Sequence, residues 1–171
     1  MKVNESTEFL KPISQTNLYG YDEYFDFFQK LYDKNKLPNS LLLSGQKGIG
    51  KSTFSYYLIN QIYKELNSNN FNHHKNLIYN GVHPNIKIIN KNIDPKTKKI
   101  KNYITIDQIR EIELLLYKST IDNLPKFIII DSADDLNINS ANSFLKTLEE
   151  PKKNTFIFLI SHQLSNLLPT I

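Results

Sequence analysis

Cysteine is absent from the 171 residues, which excludes a disulfide framework and any thiolate zinc site. Arginine is almost as scarce: Arg110 stands alone among 21 basic residues. No apolar run approaches the length needed to span a bilayer. The opening stretch, MKVNESTEFLKPISQTNLYG, is polar and lacks the apolar segment of a signal peptide, so a cytoplasmic location with no membrane contact is expected. Charge of one sign is in only modest excess. A formal +4 permits contact with nucleic acid without requiring it.

What remains is the composition of a globular domain with a sizeable core, 40% hydrophobic with a mean hydropathy of −0.42. Residues 21–36 place Tyr24, Phe25, Phe28, Leu31 and Tyr32 at helical spacing, which predicts a helix with these side chains in the core, broken by Pro38. SLLLS (40–44) reads as a buried strand, and 51–66 as a second helix. Residues 67–76 lack periodicity and read as a loop. A strand over 85–90 leads to a lysine-rich turn, 91–102, and Thr105 with Gln108 forms a capping box that opens a helix to about Lys118. KFIIID (126–131) and NTFIFLIS (154–161) read as buried strands flanking a helix over 139–150, stopped by Pro151. Strands alternating with helices predict an α/β fold, a parallel sheet flanked by helices.

Between the first strand and the second helix lies LLLSGQKGIGKST. Gly45, four residues, then Gly50-Lys51-Ser52 matches the Walker A pattern of a phosphate-binding loop, with the strand before and helix after that the pattern demands. Glycines let successive N–H groups turn toward phosphate oxygens, and the helix N-terminus adds its positive dipole end. The expected nucleotide-binding set is Gly45, Gly48, Ile49, Gly50, Lys51, Ser52 and Thr53. Lys51 reaches the β- and γ-phosphates, and Ser52 ligates Mg2+.

The strand FIIID ends in Asp131, the expected Walker B acid and second Mg2+ partner. The following position, where hydrolytic relatives carry a glutamate that polarises water, holds Ser132, too poor a base for that work. Asp134 and Asp135 read as solvated turn residues. A nucleotide kinase is disfavoured by the single arginine, since such enzymes clamp two sets of phosphates. The lysines at 87, 91, 96, 98, 99 and 101 read as a solvated hairpin, with no interleaved aromatics for base stacking.

With both motifs placed, the stretch from Ile128 to Ile171 resembles the AAA+ clamp-loader family of bacterial DNA polymerase III. Asp131-Ser132-Ala133-Asp134 is similar to the delta-prime branch more than to gamma/tau, while FLKTLEEP (144–151) and LLPTI (167–171) are specific to the group. LYGYDE, ending at Glu23, and HPNIKII (83–89) extend the resemblance over most of the chain, and residues 93–111 resemble the alphaproteobacterial type. The resemblance implies an AAA+ P-loop NTPase domain holding ATP or ADP with Mg2+. It also implies partnership with gamma/tau and delta in a five-membered ring that loads the sliding clamp onto primed DNA. A catalytically active ATPase of the gamma/tau type is the alternative. The polar sensor residue falls on Ser161 or His162, and the adenine is expected near Tyr19 and Gly20. Family members follow this stretch with a Ser-Arg-Cys motif, a lid and a collar, so residues 1–171 are expected to be an incomplete AAA+ domain. Many also carry a cysteine zinc module where this chain has His73, His74 and His83, a poor tetrahedral set, so no zinc is expected there.

Overall fold

Strand β3 (Lys126–Asp131) shows how the sequence builds the fold. Side chains alternate across a strand, and here both faces are apolar: Phe127 and Ile129 enter one core, Ile128 and Ile130 the other. A strand of this kind must be covered on both sides. Strand β4 (Thr155–Ser161) repeats the pattern, with Phe156, Phe158 and Ile160 on the first face and Ile157 and Leu159 on the second. In the computed structural model, which describes residues 11–15 and 17–167, these two strands are the centre of a four-stranded parallel sheet of order β1-β4-β3-β2. Strands β1 (Ser40–Ser44) and β2 (Ile86–Ile89) form its edges. The register sets Ser44 beside Ser161 and Asp131 beside Ile160, so β1, β3 and β4 end level. Residues 168–171 of the LLPTI stretch lie outside the described residues.

Helices α1 (Asp22–Asp33), α2 (Lys51–Leu66) and α3 (Phe71–Tyr79) cover the first face through Phe28, Phe54, Leu58, Ile62 and Ile78. Helices α4 (Ile106–Tyr117) and α5 (Ile138–Glu149) cover the second through Ile109, Ile112, Ala141 and Phe144. Burying each such side chain contributes about 1.5–3 kcal/mol. The chain crosses from β1 to β2 on one face and returns through β3 to β4 on the other. That reversal opens a crevice at the carboxyl ends of β1 and β4, where open α/β sheets bind ligands.

The caps follow their sequence signals. The Thr105–Gln108 capping box is formed, and Asn137 Oδ1 accepts from Ser140 N at 2.9 Å. Helix α1 ends before Pro38 because Asn35 takes a left-handed conformation (φ 54°), with Lys36 N donating to Leu31 O and Asn35 N to Tyr32 O, a Schellman closure. Lys126, buried at the start of β3, donates its ammonium to Leu115 O and Lys118 O, so a cation caps the α4 C-terminus.

Three expectations are corrected. Tyr24, placed in the core by its spacing, is 61% exposed. Strand β1 is only half buried, because it is an edge of the described sheet and Leu42 faces outward. Residues 67–76 are not a loop: α3 begins at Phe71, and its buried side chains are His74 and Ile78.

A polar chain ties α3 down, and its proton positions follow from one constraint. Asn85 N–H can only donate, so His83 Nδ1 accepts it (3.1 Å) and the His83 proton sits on Nε2. That N–H donates to His74 Nδ1 (3.1 Å), and His74 Nε2–H donates to Asp122 Oδ2 (3.0 Å). Both imidazoles are thus engaged along this chain from Asn85 to Asp122. Among the described residues no group of His, Cys, Asp and Glu is placed to hold a metal ion.

Candidate functional site

Three glycines shape the turn after β1. Gly45, Gly48 and Gly50 have φ of 145°, 90° and 95°, which favour a residue without Cβ. A Cβ on Gly45 would also lie 2.8 Å from the Ile49 side chain. Gly50, in the left-handed region, is the N-cap of α2, so the loop feeds straight into the helix N-terminus. Tyr21, just ahead of α1, braces this loop: its hydroxyl donates to Ile49 O and its ring packs against Phe54 at 5.9 Å. Nothing in the spacing signalled this brace.

Lys51 is buried, 7% exposed, and its ammonium donates to Gly45 O (2.6 Å) and Gln46 O (2.7 Å). Burial lowers its pKa, only partly offset by the Asp131 and Asp134 charges. Among the described residues no carboxylate lies within ion-pair distance of it. The loop therefore holds a desolvated cation whose partners are neutral carbonyls, a donor set that fits an incoming anion.

One residue further along α2, Ser52 Oγ donates to Asp131 Oδ2 at 2.7 Å. A hydroxyl and a carboxylate separated by 79 positions in sequence thus meet at one point beside the loop, both oxygen ligands of the kind Mg2+ takes. Ser132, buried, turns away and donates to Asp134 Oδ2 at 3.0 Å.

Asp134 is not a solvated turn residue, contrary to the reading of the sequence. It also accepts from Ser161 Oγ (2.7 Å) and His162 N (2.5 Å), joining the end of β4 to the turn that follows β3. Burial pushes its pKa up, but these three hydrogen bonds and the nearby His162 outweigh it and hold the carboxyl below the ordinary carboxylate value. Asp135 is likewise engaged, paired with Lys91 at 3.0 Å.

Two cavities meet at Lys51. One, of about 260 Å³, is lined by Gly48, Gly50, Lys51, Ser52, Thr53, Asp131 and His162. The other, of about 600 Å³, is largely apolar and lined by Gly20, Tyr21, Tyr24, Phe28, Leu42, Ile49 and Phe54 among others. The smaller cavity has the size and the loop and side-chain donors for phosphates, and the larger one has the surface for a base. Of the two residues expected near the adenine, Gly20 lines the larger cavity and Tyr19, 80% exposed, does not; Tyr21 and Tyr24 supply its aromatic surface. Of the two sensor candidates, the Ser161 hydroxyl is spent on Asp134. His162 borders the phosphate-sized cavity, and its buried Nδ1 has no hydrogen-bond partner.

Comparison with known proteins gives a consistent picture. A family model described as "DNA polymerase III, delta subunit" matches residues 20–171. The DNA polymerase III subunit delta' of Pseudomonas aeruginosa is 34% identical over 95 residues, covering 56% of this chain and 27% of that protein. The subunit delta' of Bacillus subtilis is 32% identical over 142 residues, covering 81% of this chain and 41% of that protein. The chain therefore spans between about a quarter and two-fifths of the length of these relatives. A crystal structure of a DNA polymerase III gamma-subunit-related protein from Thermotoga maritima superposes with a TM-score of 0.56 at 23% identity, over 86% of this chain and 42% of that one, and shows the shared fold.

Proposed function

The chain belongs to the DNA polymerase III delta-subunit family, and from that premise we propose that it is a delta-prime-type, AAA+ clamp-loader component that binds ATP or ADP with Mg2+ at the Gly45–Thr53 loop. Its partners would be the gamma/tau and delta subunits of a five-membered ring that acts on the sliding clamp and primed DNA during replication, in the cytoplasm. The observation that carries the nucleotide reading is the pairing of a buried, acid-free Lys51 with the Ser52–Asp131 contact at 2.7 Å.

The residues divide the work. Loop N–H groups and the α2 N-terminus would bind phosphate oxygens, and Lys51, now donating to Gly45 O and Gln46 O, would donate to them. Ser52 and Asp131 would hold Mg2+, which supplies charge neutralisation between phosphates. Tyr21, Tyr24 and Phe28, which line the larger cavity, would enclose the base. His162, whose Nδ1 has no hydrogen-bond partner, rather than Ser161, would be the sensor facing a phosphate held in the smaller cavity.

A motor-type ATPase is the weaker reading. The position directly after Asp131 is a serine, not a carboxylate, and the Ser132 hydroxyl is directed at Asp134. Holding a nucleotide as part of a subunit interface needs only the binding half of the site. Titration of a fluorescent ATP analogue should show Lys51→Ala binding at least tenfold more weakly with an unchanged far-UV spectrum. Equal affinity in the two proteins would overturn the nucleotide assignment.

A further inference from the structure

One peptide of the glycine turn stands between the two cavities. Tyr21 and Ile49 line the larger cavity, and Gly50 lines the smaller. The carbonyl of the Ile49–Gly50 peptide accepts the Tyr21 hydroxyl. In a trans peptide the C=O and the N–H that follows it point in opposite directions. The plane that aims the Ile49 carbonyl at Tyr21 therefore aims the Gly50 N–H away from it, to the side of the smaller cavity. We infer that Tyr21 is a positioning residue for phosphate: its hydroxyl fixes the Ile49–Gly50 peptide so that the Gly50 N–H meets a phosphate oxygen. The inference rests on the nucleotide reading above, and it extends the phosphate grip to a residue outside the loop itself.

This peptide needs a brace. Ile49 stands between Gly48 (φ 90°) and Gly50 (φ 95°), so both of its neighbours lack the Cβ that restricts backbone rotation. The Ile49 side chain anchors the segment weakly: it is 45% exposed and lies over Gly45. The next peptide is held by the helix, because Gly50 O accepts from Phe54 N at 2.8 Å in the first turn of α2. Two successive peptide planes are thus fixed from different sides, one by α2 and one by Tyr21. Fixing them before a ligand arrives removes an ordering cost that binding would otherwise carry.

Tyr21 can act as a brace because it is itself held. Its carbonyl accepts from Phe25 N at 2.8 Å, which ties its backbone to the start of α1. Its ring packs against Phe54 at 5.9 Å and Tyr24 at 6.2 Å, and a Cβ on Gly50 would lie 3.6 Å from its Cε2, so the ring runs along the loop backbone. Two edge-on aromatic pairs, Phe25 with Tyr57 (5.2 Å) and Phe28 with Phe54 (5.6 Å), lock α1 to α2. The hydroxyl therefore stands on a frame fixed to the helix that the loop enters. Phenylalanine at position 21 would keep the ring packing and lose the donor.

The test is isothermal titration calorimetry of the 171-residue chain with Mg-ATP and with inorganic tripolyphosphate plus Mg2+, which offers the phosphates without base or sugar. Tyr21→Phe should weaken both ligands by the same factor, about threefold to tenfold, as expected for one hydrogen bond. Tyr57→Phe, which takes a hydroxyl from the same aromatic set, should stay within about twofold of wild type. The amide resonance of Gly50 gives a readout that a merely structural role would not move. It should shift downfield when wild type is saturated with tripolyphosphate, and by a smaller amount in Tyr21→Phe. Wild-type affinity of Tyr21→Phe for tripolyphosphate, or equal Gly50 shifts in the two proteins, would overturn the inference. A loss confined to Mg-ATP would also overturn it, by making Tyr21 a wall of the larger cavity and nothing more. Wild type that binds neither ligand, or Lys51→Ala that binds both as well as wild type, would overturn the nucleotide assignment and the inference with it.

Discussion

Lys51 and Asp134 are opposite cases of a buried charge. Lys51 is desolvated and given only carbonyls, which leaves it poised for an anion. Asp134 is given three donors and is already satisfied; its role is to fix the ends of β3 and β4 relative to each other. Asp134→Asn would present an N–H to a group that already donates, either His162 N or the Ser161 hydroxyl. It should cost about 1–3 kcal/mol, read from urea unfolding at pH 7. The sign of the pH effect follows from the lowered pKa. The contribution of Asp134 is present above the ordinary carboxylate value and is lost as pH falls through its lower folded value. The variant should therefore lose less stability than wild type on acidification below about pH 4. A variant within about 0.5 kcal/mol of wild type at pH 7 would mean that these hydrogen bonds do not hold the strand ends, since that is the scatter of neutral surface changes.

Among the elements, α3 is the one the sequence hid, and the reason is physical. Strands β3 and β4 and helix α4 were legible because apolar runs and a capping box are local signals. The glycine turn between β1 and α2 was legible because its glycines and Lys51 lie close together in sequence. Helix α3 presents one buried aliphatic, Ile78, and one buried imidazole, His74, so no apolar period exists to read. Its anchor, the chain from Asn85 through His83 and His74 to Asp122, joins residues 37 positions apart and exists only once the fold is made. The same holds for the Tyr21 brace and the Asp134 clamp. This anchor should fail in acid. Burial, then the neighbouring His74 and His73, lower the His83 pKa from 6.5 to about 4. Unfolding lets His83 take up a proton, so its contribution is full above pH 6.5 and declines toward pH 4, by about 3 kcal/mol over that window. His83→Asn keeps an acceptor for Asn85 N–H and removes the titration. Its stability should fall less steeply between pH 6.5 and 4 in urea titrations. Parallel slopes for the two proteins would show that His83 is not the group that charges.

For the whole molecule, the site matters because it is assembled from four separate segments. Tyr21 and Tyr24 come from the start of α1, the loop from the β1–α2 junction, Asp131 from β3, and His162 from the end of β4. These segments include the edge strand β1 and the turn ahead of α1, where packing is partial, as well as the two central strands. A ligand that touches all four binds only the folded chain, so its binding free energy adds to global stability. At Mg-ATP of one hundred times Kd the gain is about 2.7 kcal/mol. For a chain of this size that raises Tm by about 5–10 °C. Differential scanning calorimetry should find this rise in wild type, a smaller one with EDTA present, and almost none in Lys51→Ala. A rise of equal size in Lys51→Ala would place the nucleotide elsewhere on the surface.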